Sequence, residues 1–257
     1  MLAGLSATLR QAVAEIERPK VLLSDERNEI AFGVPPIDRA LQGGLAPGNL
    51  HEVTPETADD FGAAANFIFV LLARVAMTGR HTLWIQTDFA ARKAGDIYGP
   101  GCDPAALSGR QFLVLKVPCA LDALWAMEEA LKSRAMAGVV LELPDDGSIA
   151  DLSATRRLTL AAQESGGFGF LLRHRSSQLT SSAETRWKIT AAPSLPDQFG
   201  GLGRPGLTLS LVKNRHGPTG RWTVAWNHHE RTFAPLPLGM AQATIDRPGR
   251  APFALAG

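Results

Sequence analysis

Leu5, Leu9, Val13 and Ile16 recur at helical spacing with polar residues between them, and Pro19 follows the run. The spacing predicts an amphipathic helix over 2–18 whose apolar stripe docks on a domain or a partner. A polar linker over 24–29 completes an N-terminal unit of 1–29. From Phe32 the chain is punctuated by glycine and proline up to Gly48, the turn chemistry that prepares an abrupt strand start. Short apolar runs at 50–53, 82–86, 112–117, 138–143 and 168–173 then alternate with helical patterns at 63–77, 89–98, 121–135 and 152–165. Strands separated by helices of this length predict βαβ units, a parallel sheet and right-handed crossovers.

Beyond Arg173 the rhythm changes. Runs at 187–192, 207–212 and 222–226 read as strands joined by glycine- and proline-containing loops, without helices. They predict antiparallel members added to the sheet in the C-terminal third. The expected fold class is therefore α/β, a mainly parallel sheet flanked by helices, with its core over 30–233. Residues 234–257 are rich in Pro, Ala and Gly and show no period, the composition of a flexible tail.

Charge adds something the apolar pattern does not show. Residues 1–155 hold 13 Lys and Arg against 20 Asp and Glu, whereas 156–257 hold 13 against 5. A basic C-terminal part points either to an acidic partner, nucleic acid included, or to the complementary half of the same fold. The two cysteines, Cys102 and Cys119, form no CxxC pair and have no histidine at ligand spacing, so neither a disulfide framework nor a zinc site is expected. The longest apolar run, 67–77, is broken by Arg74 and too short to span a bilayer, and the N-terminus carries no secretion-signal pattern. The expectation is a cytoplasmic chain.

In an open α/β sheet, ligands sit beyond the carboxyl ends of the strands. The first such turn reads Thr54-Pro-Glu-Thr-Ala-Asp-Asp-Phe-Gly. A phosphate loop would need glycines to open the backbone, a lysine for the β/γ oxygens and a hydroxyl for Mg²⁺. This turn offers Glu56, Asp59 and Asp60 instead, carboxylates where phosphates need cations. Glu142 ends an apolar run, the pattern that holds Mg²⁺ through water in nucleotide hydrolases, and Asp88 follows the second strand where a water-activating carboxylate would stand. His51-Glu52 lacks the second histidine of a zinc protease motif, no GxSxG elbow occurs, and His228-His229 alternate across a strand. No cofactor and no metal is expected. Trp125 shares a helical stripe with Leu121, Leu124 and Leu131 and reads as core. The basic residues Arg173, Arg175, Arg204, Lys213, Arg215 and Arg221 cluster late in the sequence, and their side chains suit phosphate backbones or an acidic partner.

Taken in order, these segments resemble a known family. Gly33-Val-Pro-Pro-Ile-Asp-Arg-Ala-Leu-Gln-Gly-Gly-Leu-Ala-Pro-Gly-Asn-Leu-His-Glu-Val, Leu83-Trp-Ile-Gln-Thr-Asp, Val139-Val-Leu-Glu-Leu and Val212-Lys-Asn-Arg are similar to the RecA ATPase core. Asp122-Ala-Leu-Trp-Ala-Met-Glu-Glu-Ala-Leu, Thr155-Arg-Arg-Leu and Thr185-Arg-Trp resemble the ImuA family of RecA-like accessory proteins in bacterial damage-induced mutagenesis. The match runs over about 30–227. The resemblance implies a RecA-like fold in which Asp88 and Glu142 are positional remnants of a nucleotide site whose lysine and hydroxyl are missing. It also implies a non-catalytic adaptor of the SOS response, acting in translesion synthesis with a polymerase-like ImuB hub and an error-prone polymerase of the replicative type, on the nucleoid when active. RecA is a further candidate partner and weak DNA contact a further property. An ATPase with an unorthodox loop, a stand-alone DNA-binding module and a cell-division inhibitor are the alternatives.

Overall fold

The computed structural model describes residues 29–75, 79–98, 111–143, 149–175, 180–195, 201, 203–227 and 230–236. Strands β1 (Leu50–Pro55), β2 (His81–Thr87), β3 (Phe112–Val117), β4 (Met136–Leu143), β5 (Phe168–Arg173), β6 (Thr185–Leu195), β7 (Arg204–Asn214), β8 (Gly220–Asn227) and β9 (Thr232–Pro235) form one sheet in the order β3-β2-β4-β5-β1-β6-β7-β8-β9. Pairing is parallel from β3 through β6 in the sheet order and antiparallel from β6 through β9. The sequence pattern puts β6 among the antiparallel strands; in the structure it runs parallel to β1. The chain leaves β5, passes β1 and returns on its far side with no helix among the described residues of the connection, so no helical crossover announces the parallel step.

The helices are α1 (Pro35–Ala40), α2 (Phe61–Val75), α3 (Asp88–Ala94), α4 (Ala120–Lys132) and α5 (Leu152–Ser165), with a 3₁₀ turn over Ala58–Asp60. Proline at its first turn starts α1, and Asp38 holds the strand-like chain before it by accepting from the backbone N–H groups of Phe32 and Gly33. Thr87 caps α3 and Asp151 caps α5, and Gly166 closes α5 in the left-handed conformation.

Two cores result. On one face α2 packs Phe67, Ile68, Leu71 and Leu72 against Val53, Trp84, Val140, Phe170, Leu172 and Trp187. The approach is so close that a Cβ at Gly138 on β4 would stand 2.8 Å from a Leu72 methyl. On the other face α4 and α5 bring Ala123, Met127, Leu131, Leu158 and Ala162 onto Leu50, Ile85, Val139, Leu141 and Leu171.

The apolar stripe of α4 divides. Leu124 and Leu131 are buried, but Leu121 and Trp125 are 65% and 64% exposed. Trp125 is therefore a surface residue, a correction to its reading as core. Ala123, Leu124, Ala126, Met127 and Leu131 supply the inner face of the helix. At the far end, β9 runs to Pro235, past the residue where the sequence pattern starts the tail. Proline is tolerated there because β9 is an edge strand. No helix among the described residues is long and apolar enough to cross a membrane. The helix over 2–18, with Leu5, Leu9, Val13 and Ile16, and residues 237–257 of the tail lie outside the described residues.

Candidate functional site

The carboxyl ends of β1, β2, β4 and β5 share one edge of the sheet, the place where an open α/β fold presents its ligand. The turn after β1 is closed on itself there. Asp60 accepts from the Thr57 backbone N–H at 3.1 Å and from the Thr57 hydroxyl at 2.8 Å, while its other oxygen accepts from the Ala191 N–H at 2.8 Å. Burial alone would raise the Asp60 carboxyl; these hydrogen bonds outweigh it and hold the group below the usual carboxylate range. The Thr57 N–H, which a phosphate loop would turn toward its ligand, is here committed to the turn's own Asp60 carboxylate.

Glu142, near the end of β4, is equally committed. One oxygen meets His174 Nε2 at 2.8 Å; the other accepts from Gln86 Nε2 at 3.0 Å and Trp84 Nε1 at 3.2 Å. The ring of Phe61, first residue of α2, lies 4.2 Å from that of His174, centroid to centroid. Glu142 and His174 are buried, and the aromatic lid stands where a phosphate-loop helix would begin. Asp88 opens α3 and is exposed. Among the described residues no cluster of three or more His, Cys, Asp or Glu side chains has the arrangement to hold a metal.

On the opposite face of β1, Glu52 is fully buried and bridges two guanidiniums. Arg173 Nη2 donates to one oxygen at 2.9 Å and Arg186 Nε to the other at 2.6 Å. Arg173 also reaches the Ala150 carbonyl at 3.1 Å, and Arg186 the Ser181 hydroxyl at 3.2 Å. Burial would raise Glu52, but the two arginines beside it hold its carboxyl below the usual range. Glu52 is the residue that sequence reasoning passes over. Its signal was available: a carboxylate inside an apolar strand must find a cation.

The late basic residues separate accordingly. Arg173, read from sequence as a contact residue, is 3% exposed and engaged with Glu52, so it is unavailable to a partner. Lys213 is half-buried, donates to the Ser181 carbonyl at 2.8 Å, and has its amine lowered by burial and by neighbouring Arg186. Arg175, Arg204, Arg215 and Arg221 are exposed.

His51 starts a third arrangement, at the other end of β1. Its Nδ1 lies 2.9 Å from the Thr185 hydroxyl, which accepts from Trp187 Nε1 at 2.9 Å, and burial lowers its pKa to about 4. It lines a cavity of about 80 Å³ with Gln42, Asn49, Gln163, Glu184 and His216.

The architecture defines the class. The crystal structure of the RadB recombinase superposes with a TM-score of 0.51 at 16% identity, covering 80% of this chain and 99% of that one. The fold is that of the RecA-like recombinases. No family model matches the chain. Two curated relatives, each named Protein ImuA, from two strains of Caulobacter vibrioides, are 32% identical over 233 residues, which is 84% of this chain and 90% of theirs. The chain belongs to the ImuA family.

Proposed function

We propose that this protein is a non-catalytic, RecA-like adaptor in damage-induced mutagenesis, working by contact with an ImuB-type polymerase-like hub and an error-prone replicative-type polymerase. One observation carries the reading: at the edge where a RecA-like fold would hold nucleotide, the turn after β1 closes on Asp60, and Glu142 is tied to His174, Gln86 and Trp84. A carboxylate with both oxygens engaged and an aromatic ring over its partner has no open position for a metal-bound phosphate. The acidic side chains of the turn add repulsion toward a triphosphate. Membership of the ImuA family supports the biological setting, and the exposed Trp125 and Leu121 on α4 give the fold apolar surface to offer a partner.

Association of the purified chain with an ImuB-type protein tests the proposal. Surface-immobilised chain is expected to capture that protein saturably without nucleotide, and Mg·ATP is expected to leave the affinity unchanged. Absence of binding at tens of micromolar partner would overturn the adaptor reading.

A further inference from the structure

We infer that the outer face of β6, β7 and β8, the side turned away from α2, is a binding surface for the phosphate backbone of a nucleic acid. Cross-strand partners point to the same side of a sheet. The pairing Lys188–Ser210–Arg221 therefore forms one row on this face, and Thr190–Thr208–Thr223 the next, with the Thr208 and Thr223 hydroxyls 3.3 Å apart. Trp187 packs on Phe67 of α2, so its neighbours Arg186 and Lys188 emerge on the outer side. Alternation along β7 carries Arg204 to the same side as Thr208 and Ser210. The helices of this face, α4 and α5, pack over β1 to β5.

The face thus presents Arg204, Lys188 and Arg221, then Arg186 opposite Lys213, with the Thr190, Ser210 and Thr223 hydroxyls half-buried between them and Thr208 buried. Lys188 meets Glu56 at 3.4 Å, and Arg186 shares Glu52 with Arg173. Arg186 and Lys213 are like charges placed directly across a strand pair, a repulsion that the Glu52 and Glu184 carboxylates already offset in part. Successive side chains on one face of a strand repeat at about 6.8 Å and neighbouring strands at about 4.8 Å, a grid of donors comparable to the phosphates of an extended strand.

The choice between nucleic acid and an acidic protein rests on what the face lacks. Among the described residues Val212 is the single large apolar side chain exposed on these three strands. Protein partners draw affinity from aromatic and apolar anchors, whereas Arg, Lys, Ser and Thr are the groups that hold phosphates without reading sequence. Arg204 and Arg221 are exposed, and among the described residues neither side chain forms an ion pair.

The experiment is fluorescence anisotropy of a labelled single-stranded oligonucleotide titrated with the full chain between about 50 and 200 mM salt. Binding is expected to weaken steeply with salt. Arg204→Glu combined with Arg221→Glu is expected to lower affinity by about tenfold or more and to flatten the log–log salt slope by about 0.7 for each lost contact. Circular dichroism confirms that the variant is folded, and Arg221→Ala alone should show a smaller loss in the same direction. No binding at the lowest salt, or affinity and slope untouched by charge reversal, would overturn the inference. So would polyglutamate displacing the oligonucleotide equally well at equal charge, which would assign the face to an acidic protein. Capture of an ImuB-type protein is a separate readout, so either proposal can fail alone.

Discussion

The two faces of the sheet handle buried charge in different ways, and consecutive residues of β1 show it. His51 points toward the α2 side, among Phe168 and Phe170, and burial keeps it neutral. Glu52 points to the α5 side and stays ionised between two guanidiniums. The α2 face meets its polar groups with hydroxyl, amide, indole and imidazole groups and leaves Gln86 Oε1 without a partner among the described residues, whereas the other face uses permanent charges. The first arrangement is sensitive to protons. The second is sensitive to losing a partner, and it knits β5, β1 and β6 where the parallel sheet gives way to the antiparallel extension.

The contrast is broken most severely at Glu52. Glu52→Ala leaves two guanidiniums, one of them buried, without their carboxylate and is expected to cost about 3–5 kcal/mol, read as a shift in the urea unfolding midpoint. A cost under about 1 kcal/mol would mean that the arginines are adequately solvated and that this face is not held by charge.

A pH titration of stability separates the faces. His51 has a folded pKa of about 4 against an ordinary 6.5, so between these values the unfolded chain binds the extra proton. Its contribution is complete above about 6.5 and is lost as pH falls toward about 4, on the order of 3 kcal/mol in all. Glu52 is lowered from 4.5; its contribution is present above that value and declines only at lower pH, as the folded carboxyl is protonated. His51→Asn should flatten the upper window and leave the lower one. Retention of the full upper slope in that variant would place the proton elsewhere.

Smaller effects follow. Glu142→Gln keeps the shape but removes the charge that accepts from His174, Gln86 and Trp84, and is expected to cost about 1–3 kcal/mol by urea unfolding. Trp125→Ser, at an exposed position, should change stability by no more than about 0.5 kcal/mol. A larger loss would show that the indole packs more than its exposure indicates.

The parallel half of the fold was legible from periodicity, because βαβ units write alternating signals into the chain: the runs at 82–86, 112–117 and 168–173 lie within β2, β3 and β5. The direction of β6 was not, since direction depends on which edge the chain returns to. Trp125 was misread because an apolar stripe at helical spacing does not say which of its members the sheet covers. At the candidate site, the acidic residues of the turn and the acid of β4 were visible in the sequence. That Glu142 is closed off by His174 and Phe61, and that Arg173 answers Glu52, depends on partners 32 and 121 residues away in the chain. Spacing carries no trace of such pairs.

Calorimetric titration with Mg·ATP up to millimolar nucleotide addresses the central claim most directly. The account predicts no saturable heat. Saturable binding weakened by Asp88→Ala or Glu142→Ala would contradict it, because the turn after β1 would then open and Glu142 would exchange His174 for a metal-bound phosphate.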